Sequence, residues 1–385
     1  MVFSPLLLAT IALSAIYFLM VMYFFVGWLR LKKTIAVNDA VKLNPPFVSI
    51  IVPVRNESIN IKSCLESIFQ QDYPKHLFEV IVVDDYSTDP TIRFAREVNE
   101  KNLQVLDLQN YLGNPGNYFP NKKKAIALGI KNAQGDLIIT TDGDCQVGPH
   151  WLESMVKAYA QNNFKLLTGP VMMKPAYNPI EVFQQLDIMN MVGITGATIR
   201  NNFPTMCNGA NLIYAKETFL AVEGFKGNHE VPTGDDIFLM QKINERYPDS
   251  IGFVKNYEAC VFTRPESTFS GFVSQRVRWV SKSSRFSNFK VAFVLYFAYF
   301  FNLLIIINGM FALQMQDMSW LPVALAIATK FFADLIFNIP VVFFFRKWYM
   351  LLLLPVTEIF HIVYVVIIGV LSLTGKYRWK DRLIK

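Results

Sequence analysis

No charged residue occurs between Met1 and Leu29. The apolar run 5–28 is long enough, at 1.5 Å per residue, to cross a hydrocarbon layer of about 30 Å. Such a run commits the chain to a membrane or to cleavage as a leader. The leader reading fits poorly, because no basic residue precedes the run and no small-x-small site closes it. Arg30, Lys32 and Lys33 follow at once and point to the cytoplasmic side for the next segment.

Three more apolar stretches, about 291–313, 320–345 and 349–373, lie beyond a long charged middle. Lys330 and Asp334 stand four apart, on one helical face, and Glu358 and His361 fall in the last stretch. Charges at that depth mark a transport path or an ion pair that holds helices together, and the second is the expectation. Counting spans from a cytoplasmic middle puts the tail outside. The tail carries Lys376, Arg378, Lys380, Arg382 and Lys385, against the positive-inside tendency. Either the last stretch enters and returns, or the tail is an exception. Three full crossings are expected, because the first helix usually sets orientation.

Composition supports this division. Charged residues are 17% of the chain and hydrophobic ones 52%, which excludes both a disordered chain and a purely soluble enzyme. The net charge of +7 suits anionic headgroups or anionic substrates. No basic arm or stripe supports a nucleic-acid partner. Cys64, Cys145, Cys207 and Cys260 are scattered and form no CxxC pair, so neither a disulfide framework nor a zinc site is expected.

The middle alternates strand-like and helix-like segments. Residues 47–54 (FVSIIVPV) and 78–84 (FEVIVVD) are continuous β-branched runs, as buried parallel strands are. Helical patterns over 58–71, 91–99 and 122–133 separate them from strands at 103–108 and 136–141. This spacing predicts a doubly wound sheet, which binds ligands at the carboxyl ends of its strands.

Acidic residues fall at those ends. Asp84 and Asp85 follow one strand and suit a base or ribose, while Asp89 suits a helix N-cap. Asp142-Gly143-Asp144 follows another strand. Alternate residues on an extended segment point the same way, so both carboxylates can serve one hard cation shared with phosphate. Asp235 and Asp236 open a helical pattern, either as dipole-favoured capping residues or as a base held at a helix start. Gln275-Arg276-Val277-Arg278-Trp279 is either a phosphate and sugar contact or a basic, aromatic belt at a membrane surface.

Taken in order, these segments resemble the membrane-bound inverting glycosyltransferases of family 2, the group of the cellulose, hyaluronan and poly-N-acetylglucosamine synthases. The resemblance covers about residues 47–280. It rests on Pro53-Val54-Arg55-Asn56-Glu57, the Val83–Asp89 segment VDDYSTD, the lysine-rich helix start at Lys123 and Lys124, Asp142-Gly143-Asp144, the loop Cys207-Asn208-Gly209-Ala210-Asn211, Gly234-Asp235-Asp236 and Gln275–Trp279.

The resemblance implies an α/β fold of the GT-A type, Rossmann-like, joined to α-helical transmembrane segments. It implies a nucleotide-sugar donor, with uridine the favoured base, and Mg2+ or Mn2+ on Asp142 and Asp144. Pro53, Arg55, Glu57, Asp84, Asp85, Lys123, Lys124 and Asp142 would serve the donor, and Gln275, Arg276 and Arg278 its pyrophosphate. Asp236 would be the general base, supported by Asp235. Asn208, Gly209 and Trp279 would face the acceptor. Three features depart from the pattern: Lys122 stands where the family often has Gly, Asp235 replaces the commoner Glu, and a single span precedes the catalytic segment.

The organisation expected is a transmembrane helix at 1–29, a linker at 30–45, the catalytic domain at 46–265, an interfacial helix at 266–290, three membrane segments at 291–373 and a basic tail at 374–385. The function expected is transfer of one sugar to a lipid-linked or glycan acceptor, with membrane lipids as neighbours. A processive polysaccharide synthase and an inactive sugar-binding subunit are the alternatives. The expected location is the cell membrane (the inner membrane of a Gram-negative cell), multi-pass, with the catalytic domain cytoplasmic.

Overall fold

The computed structural model describes residues 5–32, 45–113, 121–161, 163–175, 177–227, 234–281, 289–314, 320–373, 377–379 and 382–384. Lys33, Lys376, Lys380 and Lys385 of the sequence reading lie outside the described residues.

The chain begins with α1 (Pro5–Arg30). Next come β1 (Val48–Val54), α2 (Ile61–Phe69), β2 (Phe78–Asp84), α3 (Thr91–Arg96), β3 (Leu103–Asp107), α4 (Leu108–Leu112), α5 (Lys122–Asn132) and β4 (Leu137–Thr140). β5 (Gln146–Val147), α6 (Trp151–Ala160), β6 (Leu166–Thr168), β7 (Val171–Met173), α7 (Pro179–Arg200), β8 (Leu212–Ala215) and α8 (Lys216–Ala221) follow. Then come α9 (Asp235–Arg246), β9 (Ile251–Phe253), β10 (Val261–Thr263), α10 (Phe269–Val280), α11 (Phe289–Gln314), α12 (Trp320–Phe344), α13 (Leu354–Ser372), β11 (Tyr377–Trp379) and β12 (Arg382–Ile384).

These elements form two compact units. The first, residues 31–175 and 204–265, is built on a seven-stranded sheet of order β3-β2-β1-β4-β8-β6-β9. β1 runs parallel to β2 and β4, and β2 parallel to β3. β8 is antiparallel to β4 and β6. Every residue of β1 and β2 is buried, as expected of strands covered on both faces. The chain winds outward from β1 to β3 and returns to β4 on the other side of β1. That reversal leaves a crevice at the carboxyl ends of β1 and β4. A second sheet, of order β5-β10-β7, completes the unit.

The second unit comprises residues 1–30, 176–203 and 266–385. In α1, Leu7, Thr10, Ser14, Tyr17, Val21, Phe24 and Trp28 are buried at helical spacing, while Leu8, Ile11 and Leu19 face outward. Asn308 of α11 donates to Thr10 Oγ1 at 3.0 Å, and the Tyr17 ring stacks on Phe301 with centroids 4.3 Å apart, so α11 runs antiparallel to α1. The Tyr17 hydroxyl donates to Asp334 at 2.8 Å, and Trp28 meets Phe344 edge-on, so α12 runs parallel to α1. Among the described residues, four helical segments are long and apolar enough to cross a membrane: α1, α11, α12 and the combined segment Trp348–Ser372.

Two features differ from the sequence reading. Residues 176–203, expected inside the catalytic domain, pack with the apolar helices. α7 carries Gly193, where a Cβ would meet Val341 at 2.8 Å and Phe337 at 3.0 Å, so glycine permits close approach of α12. Asn201, just past α7, donates to the Tyr23 carbonyl of α1. The last apolar segment also has an unexpected course. Glu358, early in α13, reaches Lys330, well inside α12. Further along α13, Ile368 and Tyr364 pack on Val273, Val277 and Val280 of α10, and β11 also lies against α10.

Candidate active site

The carboxyl ends of β1 and β2 form the first half of the crevice. Asn56 and Tyr86 adopt left-handed backbone conformations, with φ of 50° and 57°, so each strand turns sharply at its end. Arg55 clasps the two turns: its Nη1 donates to the carbonyls of Asp85 at 2.5 Å and Tyr86 at 2.8 Å. Asn56 accepts from the Thr88 amide, and the Glu57 amide donates to Thr91 Oγ1 at 2.7 Å. Asp89 accepts from the amides of Ser58 and Thr91 but is not the N-cap expected of it: Pro90 takes that position in α3, and Asp89 joins the helix start to the turn after β1.

Arg55, Glu57, Asp84 and Asp85 are all buried beside this clasp. Asp84 Oδ2 accepts from the Ser87 amide at 2.9 Å. Burial raises the Asp84 carboxyl above its ordinary value, against the Ser87 hydrogen bonds that lower it. Pro53 lies in β1 opposite Val83.

The second half forms where β4 ends. The Thr141 amide still donates to Ile51 of β1, and Asp142-Gly143-Asp144 turns away. A Cβ on Gly143 would meet Val54 at 2.7 Å and Glu57 at 3.3 Å, so glycine lets the paired acids approach the end of β1. Thr263 Oγ1 stands 3.4 Å from Asp144 Oδ2.

α9 opens nearby. Gly234, with φ of 81°, precedes Asp235 and Asp236 in its first turn. Gly209 joins the two halves: its carbonyl accepts from Thr140 Oγ1 of β4 at 2.7 Å, and its amide donates to Asp236 Oδ2 at 3.1 Å. A Cβ there would meet Asp235 Oδ2 at 2.9 Å and Lys122 Nζ at 3.3 Å, so a larger residue would have to displace these two side-chain ends. Asn208 accepts from the Ala210 amide, and Asn211, fully buried, donates to the carbonyls of Pro170 and Ala259.

At the centre lies Lys122, which the sequence marks as a departure from the family pattern without giving it a role. Lys122 Nζ sits 2.6 Å from Asp142 Oδ1 and 3.3 Å from Asp235 Oδ2. Burial pulls its ammonium toward neutrality, but Asp142 and Asp235 outweigh this and hold it charged, well above the usual lysine value. Burial likewise raises the Asp142 carboxyl, with Lys122 opposing. Sequence position gave one clue: Lys122 is the first of three lysines, and only helix phase decides which of them faces the acids. Lys123 does not. It is buried, with its ammonium 4.8 Å from the centre of the Phe238 ring. Lys124 lies within electrostatic reach of Asp85.

No cluster of three or more His, Cys, Asp or Glu suited to a metal occurs among the described residues. Asp142 and Asp144 thus offer two carboxylates, which fits a hard divalent cation that takes its other oxygens from a diphosphate and water.

Gln275, Arg276, Arg278 and Trp279 lie on α10 of the apolar-helix unit. Arg276, expected at the pyrophosphate, is engaged within its own unit. Its guanidinium is buried, stands 2.6 Å from Asp187 of α7, donates to Gln275 and faces the Trp279 ring at 4.2 Å. It ties α10 to α7. Gln275, Arg278 and Trp279 remain half-buried.

A mixed sheet with acids gathered at the ends of β1, β2 and β4 is the GT-A arrangement of nucleotide-sugar enzymes. The glycosyl transferase family 2 model matches residues 49–204, and the glycosyl transferase family group 2 model matches 137–373, more than half of the chain. The chain belongs to the family 2 glycosyltransferases.

Among curated relatives, it is 36% identical over 128 residues to glycosyltransferase AglE of Haloferax volcanii, covering 33% of this chain and 40% of that protein. It is 33% identical over 117 residues to a dolichyl N-acetyl-α-D-glucosaminyl phosphate 3-β-D-2,3-diacetamido-2,3-dideoxy-β-D-glucuronosyltransferase of Methanococcus voltae, covering 29% of this chain and 34% of that one. The chain thus spans less than half the length of these relatives. Its fold is similar to that of the mannosyltransferase PcManGT from Pyrobaculum calidifontis, solved with GDP-Man and Mn2+. The TM-score is 0.60 at 19% identity, over 96% of this chain and 99% of that one.

Proposed function

We propose that the chain moves a sugar, with inversion, from a nucleotide-sugar donor to a lipid-linked or glycan acceptor at a membrane. The observation that carries this reading is the junction at Gly209, where Asp142 at the end of β4 and Asp235 and Asp236 of α9 meet around Lys122. Inverting transfer needs two carboxylate functions close together: one for the leaving diphosphate and one for the attacking hydroxyl.

In this reading Asp142 and Asp144 hold a divalent cation, which when bound offsets the charge of the departing nucleoside diphosphate. Asp236 takes the proton of the acceptor hydroxyl. Its carboxylate is held by the Gly209 amide at 3.1 Å and by the Ile237 amide at 2.8 Å, so it stands fixed before the acceptor arrives. Asp235 is bound to Lys122 and supports Asp236 from the same helical turn. Glu57, Asp84 and Asp85 serve the nucleoside, and Arg55 positions them by clasping the loops. Asn208 and Gly209 serve the acceptor. UDP-sugars are the favoured donors.

Asp236→Asn keeps shape and helix start but removes basicity. Turnover should fall by at least about 10²-fold while nucleotide binding by calorimetry stays near wild type. Equal loss of nucleotide binding would refute the base assignment.

For location, we propose an integral membrane protein with its sheet unit in the cytoplasm. α1, α11 and α12 cross the bilayer, and the segment Trp348–Ser372 enters and returns. Three observations support the return. Glu358 meets Lys330 partway along α12, later turns of α13 pack on α10, and β11 lies against α10, which follows β10 after the short link 264–268. The basic tail then obeys the positive-inside tendency. A fluorescent-protein fusion at Lys385 should glow in the cytoplasm, and a dark fusion with a full-length, membrane-inserted product would restore three full crossings.

A further inference from the structure

The placement of Lys122 runs against helix electrostatics. It is the first residue of α5, an 11-residue helix whose first turn holds three lysines and no acid. Helix N-termini favour negative charge, so an ammonium there is unfavourable unless something nearby compensates. The compensation is the pair Asp142 and Asp235, at 2.6 Å and 3.3 Å. The Lys122 side chain is 20% exposed and that of Asp142 33% exposed, so the pair can be reached from solvent.

An ammonium on Asp142 Oδ1 and a divalent cation on the same carboxylate repel each other. Lysine is a point charge on a flexible four-carbon stem and can change partners without moving the backbone. An arriving diphosphate offers it several anionic oxygens.

Resting on the metal assignment above, we propose that Lys122 is a positioning residue that couples metal capture to the donor. Its ammonium occupies Asp142 while the crevice holds no nucleotide, and it transfers to the diphosphate when a nucleotide binds, freeing Asp142 for the cation. Metal and nucleotide then strengthen each other's binding, and by linkage they do so equally. The site avoids holding a bare metal ion, and the cation is secured with the leaving group whose charge it offsets.

The test is Mn2+ binding, read from the free-ion signal in electron paramagnetic resonance, on the full chain in detergent. It is measured alone and with UDP or GDP, whichever the wild type retains. Wild type should bind Mn2+ weakly alone and at least about tenfold more tightly with the nucleotide, within the usual range of coupling between sites. Lys122→Met should bind Mn2+ alone about tenfold more tightly than wild type and lose most of the coupling. Lys122→Gln repeats the measurement should the methionine variant fail to fold, and Lys122→Arg, which keeps the charge, should behave as wild type. Neutral variants that bind Mn2+ alone no better than wild type, or that keep full coupling, overturn the inference. An Asp142→Asn control separates the two levels. If it abolishes Mn2+ binding while the Lys122 variants change nothing, the metal assignment stands and only the role of Lys122 falls. If it leaves Mn2+ binding intact, the metal assignment falls and the inference with it.

Discussion

Each unit of this protein contains a lysine held between two carboxylates, and the two triads are built for different ends. In the sheet unit Lys122 bridges Asp142 and Asp235, with the Asp142 side chain one-third exposed. In the apolar unit Lys330 lies 2.5 Å from both Asp334 and Glu358 and is 1% exposed. Asp334 also accepts from Tyr17. The apolar triad therefore links α1, α12 and α13 with little access for water, and its charges satisfy one another. The triad in the sheet unit has weaker geometry, a reachable acid and Asp236 next in sequence. The difference teaches that the charge pattern alone does not separate a staple from a reaction site; exposure and the neighbouring acids do.

The comparison breaks most visibly in stability. Lys330→Met leaves Asp334 and Glu358 in an apolar setting without their cation. Removing one partner of a buried ion pair costs about 3–5 kcal/mol, so thermal unfolding in detergent should shift strongly or the chain should fail to insert. Lys122→Met should change stability by no more than about 1 kcal/mol, as partly exposed pairs do. Equal destabilisation by the two would erase the distinction.

A smaller effect sharpens it within α10. Arg276→Ala removes the partner of Asp187 and should destabilise the packing of α10 on α7 by about 3 kcal/mol, the low end for a broken buried ion pair, since one acid rather than two loses its cation. Arg278→Ala should leave the melting temperature nearly unchanged and lower turnover. The reverse pattern would return Arg276 to the pyrophosphate and make Arg278 the structural one.

Much of this was legible in the sequence where one physical signal dominated. The β-branched run FEVIVVD is β2 residue for residue, because a strand buried on both faces must be apolar throughout. The expected helix at 58–71 begins at Ile61 instead. Asn56, Glu57 and Ser58 spend their amides on Ser87, Thr91 and Asp89, contacts about thirty residues away that helical periodicity cannot register. β5 to β9 are two to four residues long, too short to show a period.

Residues 176–203 lie within the charged middle of the chain, yet they pack with the long apolar helices through small residues such as Gly193, a feature of shape rather than polarity. At the candidate site, Asp84, Asp85 and Asp142 were legible because they fall at the ends of buried strands. The choice among Lys122, Lys123 and Lys124 was not, since a one-residue step turns a helical side chain by about 100° and only the tertiary partner selects it. The Arg276 ion pair was hidden for the same reason: charge type suggested phosphate, and its partner Asp187 is distant in sequence.

The central claim is that the acids gathered around Gly209 form one metal-assisted sugar-transfer site. It is tested most directly by incubating the purified full chain with a panel of radiolabelled nucleotide-sugars and extracted membrane lipid. Wild type, wild type in excess EDTA, and Asp144→Ala are compared, each checked for correct folding. Wild type should move label from at least one nucleotide-sugar into the lipid-soluble fraction, and EDTA and Asp144→Ala should both abolish the transfer. Transfer that persists at the wild-type rate in EDTA and in Asp144→Ala would contradict the central claim.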